Sequence, residues 1–245
     1  ISLSAQFNLL SLPADEFPVL YPLIGETNFT IRDNILRDLI KKTVFAASND
    51  EARPVFTGAL LEVVDSEVLM VATNTHRLAL KKENLDNITN NIKVIIPSKI
   101  LNELARIMVS EIPSPIKITC HHNQISFSFD NIYIISRIIE GQFPDYQRVI
   151  PPNFATTVAI KTADFSSAVE RVSLISRDGD YNVVKLAFRN NEILITSNNP
   201  EVGKAEEAIA ANIEGNELEI AFNAKYIVDI LKNIDDEKIF FTLNT

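Results

Sequence analysis

The stretch Val94-Ile95-Ile96-Pro97-Ser98-Lys99-Ile100-Leu101-Asn102-Glu103-Leu104-Ala105-Arg106-Ile107 recurs as Glu219-Ile220-Ala221-Phe222-Asn223-Ala224-Lys225-Tyr226-Ile227-Val228-Asp229-Ile230-Leu231-Lys232-Asn233. Each copy is a short apolar run, a break and an amphipathic helix. Lys99 and Arg106 in one match Lys225 and Lys232 in the other. A repeat at a distance of about 125 residues points to two copies of one domain rather than a short-period solenoid. Residues seven apart on a helix lie within about 20° of each other, so each pair of cations shares a face, directed away from Leu104 in the first copy. A solvated surface would look the same on any single helix; it is the recurrence that asks for a purpose.

Composition narrows the classes. With 46% hydrophobic and 22% charged residues in 245, the chain reads as globular, with length for two cores. No apolar run approaches the roughly 20 residues of a membrane span, and no secretory leader is readable. The first residue is Ile1, so the chain is expected to start inside a longer protein. A single cysteine, Cys120, excludes an internal disulfide and suits a reducing cytosol. The net charge of −9 argues against a simple nucleic-acid coat, though not against basic stripes on an acidic body. The six glycines are too dispersed for a dinucleotide fingerprint or a phosphate loop, which need glycines a few residues apart.

The apolar pattern predicts the elements. Residues 1–27 read as a strand end and a linker interrupted by Pro13, Pro18 and Pro22. Asp33 to Ser48 reads as a helix with Leu36, Leu39, Ile40, Thr43, Val44 and Ala47 inward and Arg37, Lys41 and Lys42 outward. Val55–Val64 and Val68–Thr73 read as a hairpin, with strands at His76–Lys81 and Lys93–Ile96. Ser98 is expected to cap a helix with Ile100, Leu101, Leu104, Ile107 and Met108 inward. A meander over Ile116–Cys120, Ile125–Phe129 and Ile132–Ile139 closes the module. The second copy runs through a helix capped by Thr162, a hairpin over Val183–Phe188 and Glu192–Thr196, the strand Glu217–Phe222, the helix Ala224–Ile234 and the strand Ile239–Leu243. Two strands fewer close it. The expected class is α+β, each module pairing two helices with antiparallel sheet.

Few residues suggest bond chemistry. His76 beside a turn has no nucleophile placed with it by a recognisable motif, and a hydrolase centred on it is the least supported reading. In Cys120-His121-His122, neighbours on a strand point to opposite faces and cannot converge on one metal. Asp235-Asp236-Glu237 reads as a solvated turn. No cofactor or metal is expected. The segment Gly141-Gln142-Phe143-Pro144-Asp145-Tyr146-Gln147-Arg148-Val149-Ile150-Pro151 is not flexible linker chemistry: its apolar anchors should pack, as an inter-domain strap or as one wall of a groove.

Phe143 to Pro151, Val71-Ala72-Thr73-Asn74-Thr75-His76-Arg77-Leu78-Ala79 and the helix Ile100–Met108 resemble the bacterial sliding clamp, the beta subunit of DNA polymerase III. The likeness runs through the whole chain and keeps the order of every element. It implies three similar domains per protomer and two protomers closed head to tail round duplex DNA. This chain would hold the end of the first domain with its linker (1–27), the middle domain (28–150) and a C-terminally shortened third (151–245). The implied role is a cytoplasmic, non-enzymatic processivity factor. Helices line the hole, and an acidic exterior removes the objection raised by the net charge.

The resemblance also implies a groove that captures peptides from the polymerase III catalytic subunit, the clamp loader, repair polymerases, ligase and mismatch-repair proteins. Groove residues carried over are Phe56, Thr73, Thr75, His76, Arg77, Leu78, Pro144, Arg148 and Val149, with Arg77 and Arg148 as polar anchors. Cations expected to face DNA are Arg37, Lys41, Lys42, Arg53, Lys99, Arg106, Arg171, Arg177, Lys225 and Lys232. Three features depart from the family: Asn74-Thr75 where Asp-Gly is common, a 50–55 loop without the Gln and Tyr used on DNA, and no C-terminal tail. The shortened chain by itself is expected to be a monomer or to assemble non-natively. The rival class is a peptide-binding scaffold with no DNA role.

Overall fold

The computed structural model describes residues 6–19, 21–25, 27–85, 91–109, 112–176 and 182–244. Its first half runs β1 (Thr27–Arg32), α1 (Asp33–Lys41), β2 (Gly58–Val64), β3 (Glu67–Thr73), β4 (Leu78–Asn84), β5 (Ile92–Pro97), α2 (Ser98–Ile107), β6 (Pro115–His121), β7 (Gln124–Phe129) and β8 (Ile132–Arg137). The second runs β9 (Thr156–Lys161), α3 (Thr162–Ser173), β10 (Val183–Arg189), β11 (Glu192–Asn199), β12 (Gly203–Ala210), β13 (Asn212–Gly215), β14 (Leu218–Asn223), α4 (Ala224–Leu231) and β15 (Lys238–Leu243).

Among the described residues all the ladders are antiparallel, and the two halves repeat one topology. The sheet β4-β3-β2-β5 of the first corresponds to β12-β11-β10-β14 of the second. The sheet β1-β6-β7-β8 corresponds to β13-β9-β15, in which β9 and β15 pair as β1 and β6 do. Each half therefore has two sheets where one was expected. In the first, Leu61, Met70 and Ile96 from one sheet meet Ile31, Ile118 and Phe127 from the other, with Leu36 and Leu39 of α1 and Leu101 and Leu104 of α2. In the second, Phe165, Ala168 and Val169 of α3 pack with Leu186, Phe188, Ile193 and Ile195, and with Ile227 and Leu231 of α4. Such burial is the main force holding each half.

Several elements end elsewhere than the apolar pattern suggests. α1 stops at Lys41 because the Thr43 hydroxyl donates to the Leu39 carbonyl (2.6 Å) and competes for a helical acceptor. A 3-10 turn at Val44–Ala46 carries the apolar stripe onward. Ser98 and Thr162 are first helical residues, not side-chain caps; the Thr162 hydroxyl donates instead to the Asp236 carbonyl (2.6 Å). Asn223 does cap α4, accepting from the Lys225 amide (3.0 Å). Val55 and Phe56 belong to a 3-10 turn, Pro54–Thr57, and residues 76 and 77 to a turn before β4. Ile107, expected inside, is exposed. Among the described residues, no helix is long and apolar enough to cross a membrane.

Residues 139–149 lie across the outer face of the β4-β3-β2-β5 sheet. Ile139 bridges to Ile95 on the edge strand β5, its amide donating to the Ile95 carbonyl (2.8 Å). Gly141 then takes φ +136°, and a Cβ there would sit 2.7 Å from Val55, so glycine suits both backbone and space. Beyond it, Phe143 and Tyr146 bury themselves on Leu60, Val71 and Ile95, forming a small third core.

Candidate functional site

The strap, the 3-10 turn at Pro54–Thr57 and the β3–β4 turn enclose a cavity of about 430 Å³. Its apolar walls are Phe56, Leu78, Pro144 and Val149; Thr73, Thr75, His76 and Arg77 form the β3–β4 side. The volume lies in the range of sites that bind small ligands or a few side chains, and apolar walls with a few polar groups suit such binding. Eight of the nine residues assigned to a groove from the sequence thus meet at one place. The ninth, Arg148, does not line the cavity: it is largely exposed and its Nε pairs with Asp145 (2.8 Å). Asp145 and Tyr146 line it unexpectedly. Tyr146 donates to Glu62 (3.2 Å), which Lys93 also engages (2.9 Å). Burial, then the Glu62 carboxylate, push its phenol above the ordinary value. Its signal was present in the sequence, as an aromatic within an apolar strap.

The β3–β4 turn is held from several sides. The Asn74 carboxamide oxygen accepts from the amides of His76 (3.1 Å) and Arg77 (3.0 Å). The Thr73 hydroxyl donates to the Arg77 carbonyl (2.7 Å) and accepts from the Thr75 amide (3.1 Å). Thr75 itself takes φ +76°. For a β-branched residue that backbone costs on the order of 1–3 kcal/mol and persists only where its surroundings over-determine it. The His76 side chain makes no hydrogen bond among the described residues.

Arg77 is already engaged within the protein, while its buried Nε has no hydrogen-bond partner among the described residues. Its guanidinium donates to the Phe45 carbonyl (2.6 Å) and to Asp229 of α4 (2.8 Å), and lies 4.5 Å from the Tyr226 ring centroid. Asn74 also reaches the Tyr226 hydroxyl (3.4 Å). Arg77 therefore joins the cavity rim to the second half. A half-buried bidentate guanidinium is well suited to this, since its fork satisfies two acceptors at once. Pairing across 152 residues leaves no local trace in sequence. Tyr226 left one: it replaces Ile100 in the repeat, adding a polar tip to an apolar position.

The cations assigned to DNA divide into two groups. Lys42 pairs with Asp38 (3.2 Å), Arg106 with Glu103 (2.9 Å) and Lys41 with Asp235 (3.0 Å) across the seam between the halves. Lys41 holds the Asp235 carboxyl below its usual range. Arg53 pairs with Asp50 (3.4 Å) and lies 5.5 Å from the Phe56 ring centroid. Arg171 is drawn to β12, its Nε 3.0 Å from Glu207, whose carboxyl is correspondingly lowered. Arg37 donates to the Met108 carbonyl (3.2 Å). Lys99, Lys225 and Lys232 are exposed, with no carboxylate partner among the described residues. Arg177 lies outside the described residues.

A sequence model of the DNA polymerase III beta subunit central domain matches residues 30–145, and one of its C-terminal domain matches 147–245. The chain is 39% identical over 236 residues to the beta sliding clamp of Staphylococcus epidermidis, covering 96% of this chain and 62% of that protein. The crystal structure of the DNA polymerase sliding clamp from Bacillus subtilis is 39% identical with a TM-score of 0.89, over 95% of this chain and 62% of that one. That of a Pseudomonas aeruginosa sliding clamp bound to griselimycin is 33% identical with a TM-score of 0.89, over 95% and 63%. The chain thus spans somewhat under two thirds of the length of these relatives. Two consecutive domains of one subunit are matched in order along nearly all of it, and the chain belongs to the family of the DNA polymerase III beta subunit, the beta sliding clamps.

Proposed function

We propose that this chain supplies two consecutive domains, 28–150 and 151–245, of a ring that encircles duplex DNA, and that residues 1–27 end the preceding domain. The ring tethers the replicative polymerase and other partners through short peptides seated in the cavity between strap and β3–β4 turn. Its work is enclosure and binding, with no bond made or broken. The observation that carries this is the match of two consecutive beta-subunit domains in a fold that repeats itself. Exposed Lys99, Lys225 and Lys232 on α2 and at the two ends of α4 suit loose contact with phosphates, which positions without reading sequence. Many of their neighbours are already paired with carboxylates, which keeps the helix face only mildly attractive and compatible with sliding.

The test uses the full-length protein loaded on duplex DNA. Its lifetime on closed circles should exceed that on linear DNA of equal length by orders of magnitude, and equal lifetimes would refute enclosure. Changing Lys99, Lys225 and Lys232 to Glu should weaken salt-dependent DNA contact, each lysine carrying a slope of about 0.9 in log affinity against log salt. The internal pairing of the other cations favours one rival, a peptide-binding scaffold without a DNA role. Absence of any longer retention on closed circles than on linear DNA, with peptide binding intact, would support it.

A further inference from the structure

Two side chains of opposite charge, Arg77 and Asp145, line the cavity, and the counterion of each stands outside its walls. Arg148 pairs with Asp145 (2.8 Å). Asp229 of α4, in the second half, pairs with Arg77 (2.8 Å). The two pairs differ in solvation. The side chains of Arg148 and Asp145 are 84% and 54% exposed, those of Arg77 and Asp229 12% and 26%. Water and salt screen the first pair, whereas the second is screened much less, so its charges are felt at the cavity. Asp229 is the one carboxylate that pairs with Arg77 among the described residues. The other partners of the guanidinium, the Phe45 carbonyl (2.6 Å) and the Tyr226 ring (4.5 Å to its centroid), carry no net charge. Without the charge of Asp229, a half-buried cation would stand uncompensated on the cavity wall, and a ligand carboxylate could take the vacant role.

We propose that Asp229 is a positioning residue for the peptide groove: from the second half it holds and neutralises Arg77, and thereby limits the attraction of the groove for acidic peptide residues. The inference rests on the peptide-groove function proposed above. Asp229 does not itself line the cavity, so it acts through Arg77 and not by touching the ligand. Discrimination then comes from a counterion already in place, with no repulsive group in the groove.

The probe is a phage-displayed library of random nonapeptides, selected on the full-length protein. In each protein, the peptides counted are those no longer captured once Leu78→Gln puts an uncharged polar group in the apolar wall. Asp229→Asn keeps the shape and an acceptor but loses the charge. It should raise the share of Asp and Glu among the counted peptides about threefold or more. Asp229→Glu restores the carboxylate and should return that share to the value of the unaltered protein. So should Arg77→Gln added to Asp229→Asn, because the cation is then gone. An unchanged share, or no capture at all, in Asp229→Asn would overturn the proposal. Enrichment that persists in the double variant would overturn it too, since damage to the seam and not the charge of Arg77 would then be the cause. Those outcomes leave the groove itself standing. If the unaltered protein captures no peptide that depends on Leu78, the groove function fails, and this inference with it.

Discussion

The outer faces of two corresponding sheets differ in a way the shared topology does not require. In β4-β3-β2-β5, Leu60 stands between Val71 and Ile95. In β12-β11-β10-β14, the same station is Lys185, between Thr196 and Ala221. The inward faces of both sheets are apolar, because both must cover a core. Among the described residues, the first sheet alone is apolar outward at this station as well, and there the strap brings Phe143 and Tyr146 to cover it and leaves a cavity alongside. One fold thus carries a strap-covered apolar face with a cavity in one copy and a more polar outward face in the other. Function is grafted on the scaffold, and the graft is written in the outward positions of the strands.

The largest effect should come from making the first face like the second. Leu60→Lys would place an ammonium beneath Phe143 and Tyr146, at a position only 1% exposed. An uncompensated buried charge costs about 3–5 kcal/mol. The strap should lift and free its backbone, so that trypsin cleaves faster after the already exposed Arg148, and the urea midpoint should fall. A loss below about 1 kcal/mol in urea unfolding would mean that the strap does not seal this face.

That difference was partly legible in the sequence. Gly58-Ala59-Leu60-Leu61 and Val68-Leu69-Met70-Val71 are apolar runs, as strands buried on both faces must be, whereas Val184-Lys185-Leu186 and Ile193-Leu194-Ile195-Thr196-Ser197 mix in polar residues. The repeated helices, the Asp65-Ser66 and Asn190-Asn191 turns and the anchoring strap could be read for the same reason, that each is a local pattern. The strand β12 was missed because Lys204-Ala205-Glu206-Glu207-Ala208 has the composition of a helix; it is a strand because β11 pairs with it from Glu192↔Ala210 to Asn199↔Gly203. The commitments of Arg77 to Asp229 and of Arg171 to Glu207 were out of reach altogether. Which of several carboxylates an arginine meets depends on tertiary placement, so a list of cations did not show which remain free.

A smaller effect sharpens the comparison at the strap alone. Tyr146→Phe removes the bond to Glu62 but leaves the ring on Leu60, so at neutral pH it should cost about 1 kcal/mol. The pH dependence distinguishes this from simple packing. Because the folded phenol titrates above its ordinary value, the native state keeps a proton that the unfolded chain has lost. Stability from Tyr146 is therefore fully present below the unfolded value, about 10, and declines as pH rises through the folded one. Urea midpoints measured from pH 8 to 11 should fall less steeply for Tyr146→Phe than for the unaltered chain. Parallel curves would mean that the phenol is as free to ionise in the folded protein as in water.

The smallest effect comes from the reverse exchange, in the second half. Lys185 is about half exposed and pairs with Glu219 (2.8 Å), a contact between partly solvated side chains that contributes about 1 kcal/mol at most. Lys185→Leu restores the apolar residue of Leu60 without supplying a strap to cover it. If apolar character at this station were itself stabilising, the variant would gain. If the station matters only when aromatic anchors lie over it, the loss of the ion pair and the uncovered leucine should leave the urea midpoint within about 0.5 kcal/mol of the original. Equivalent positions in one fold would then have unequal weight, large at Leu60 and near zero at Lys185, because burial belongs to the strap and not to the sheet. A shift at Lys185 comparable to that at Leu60 would remove the distinction between the two faces.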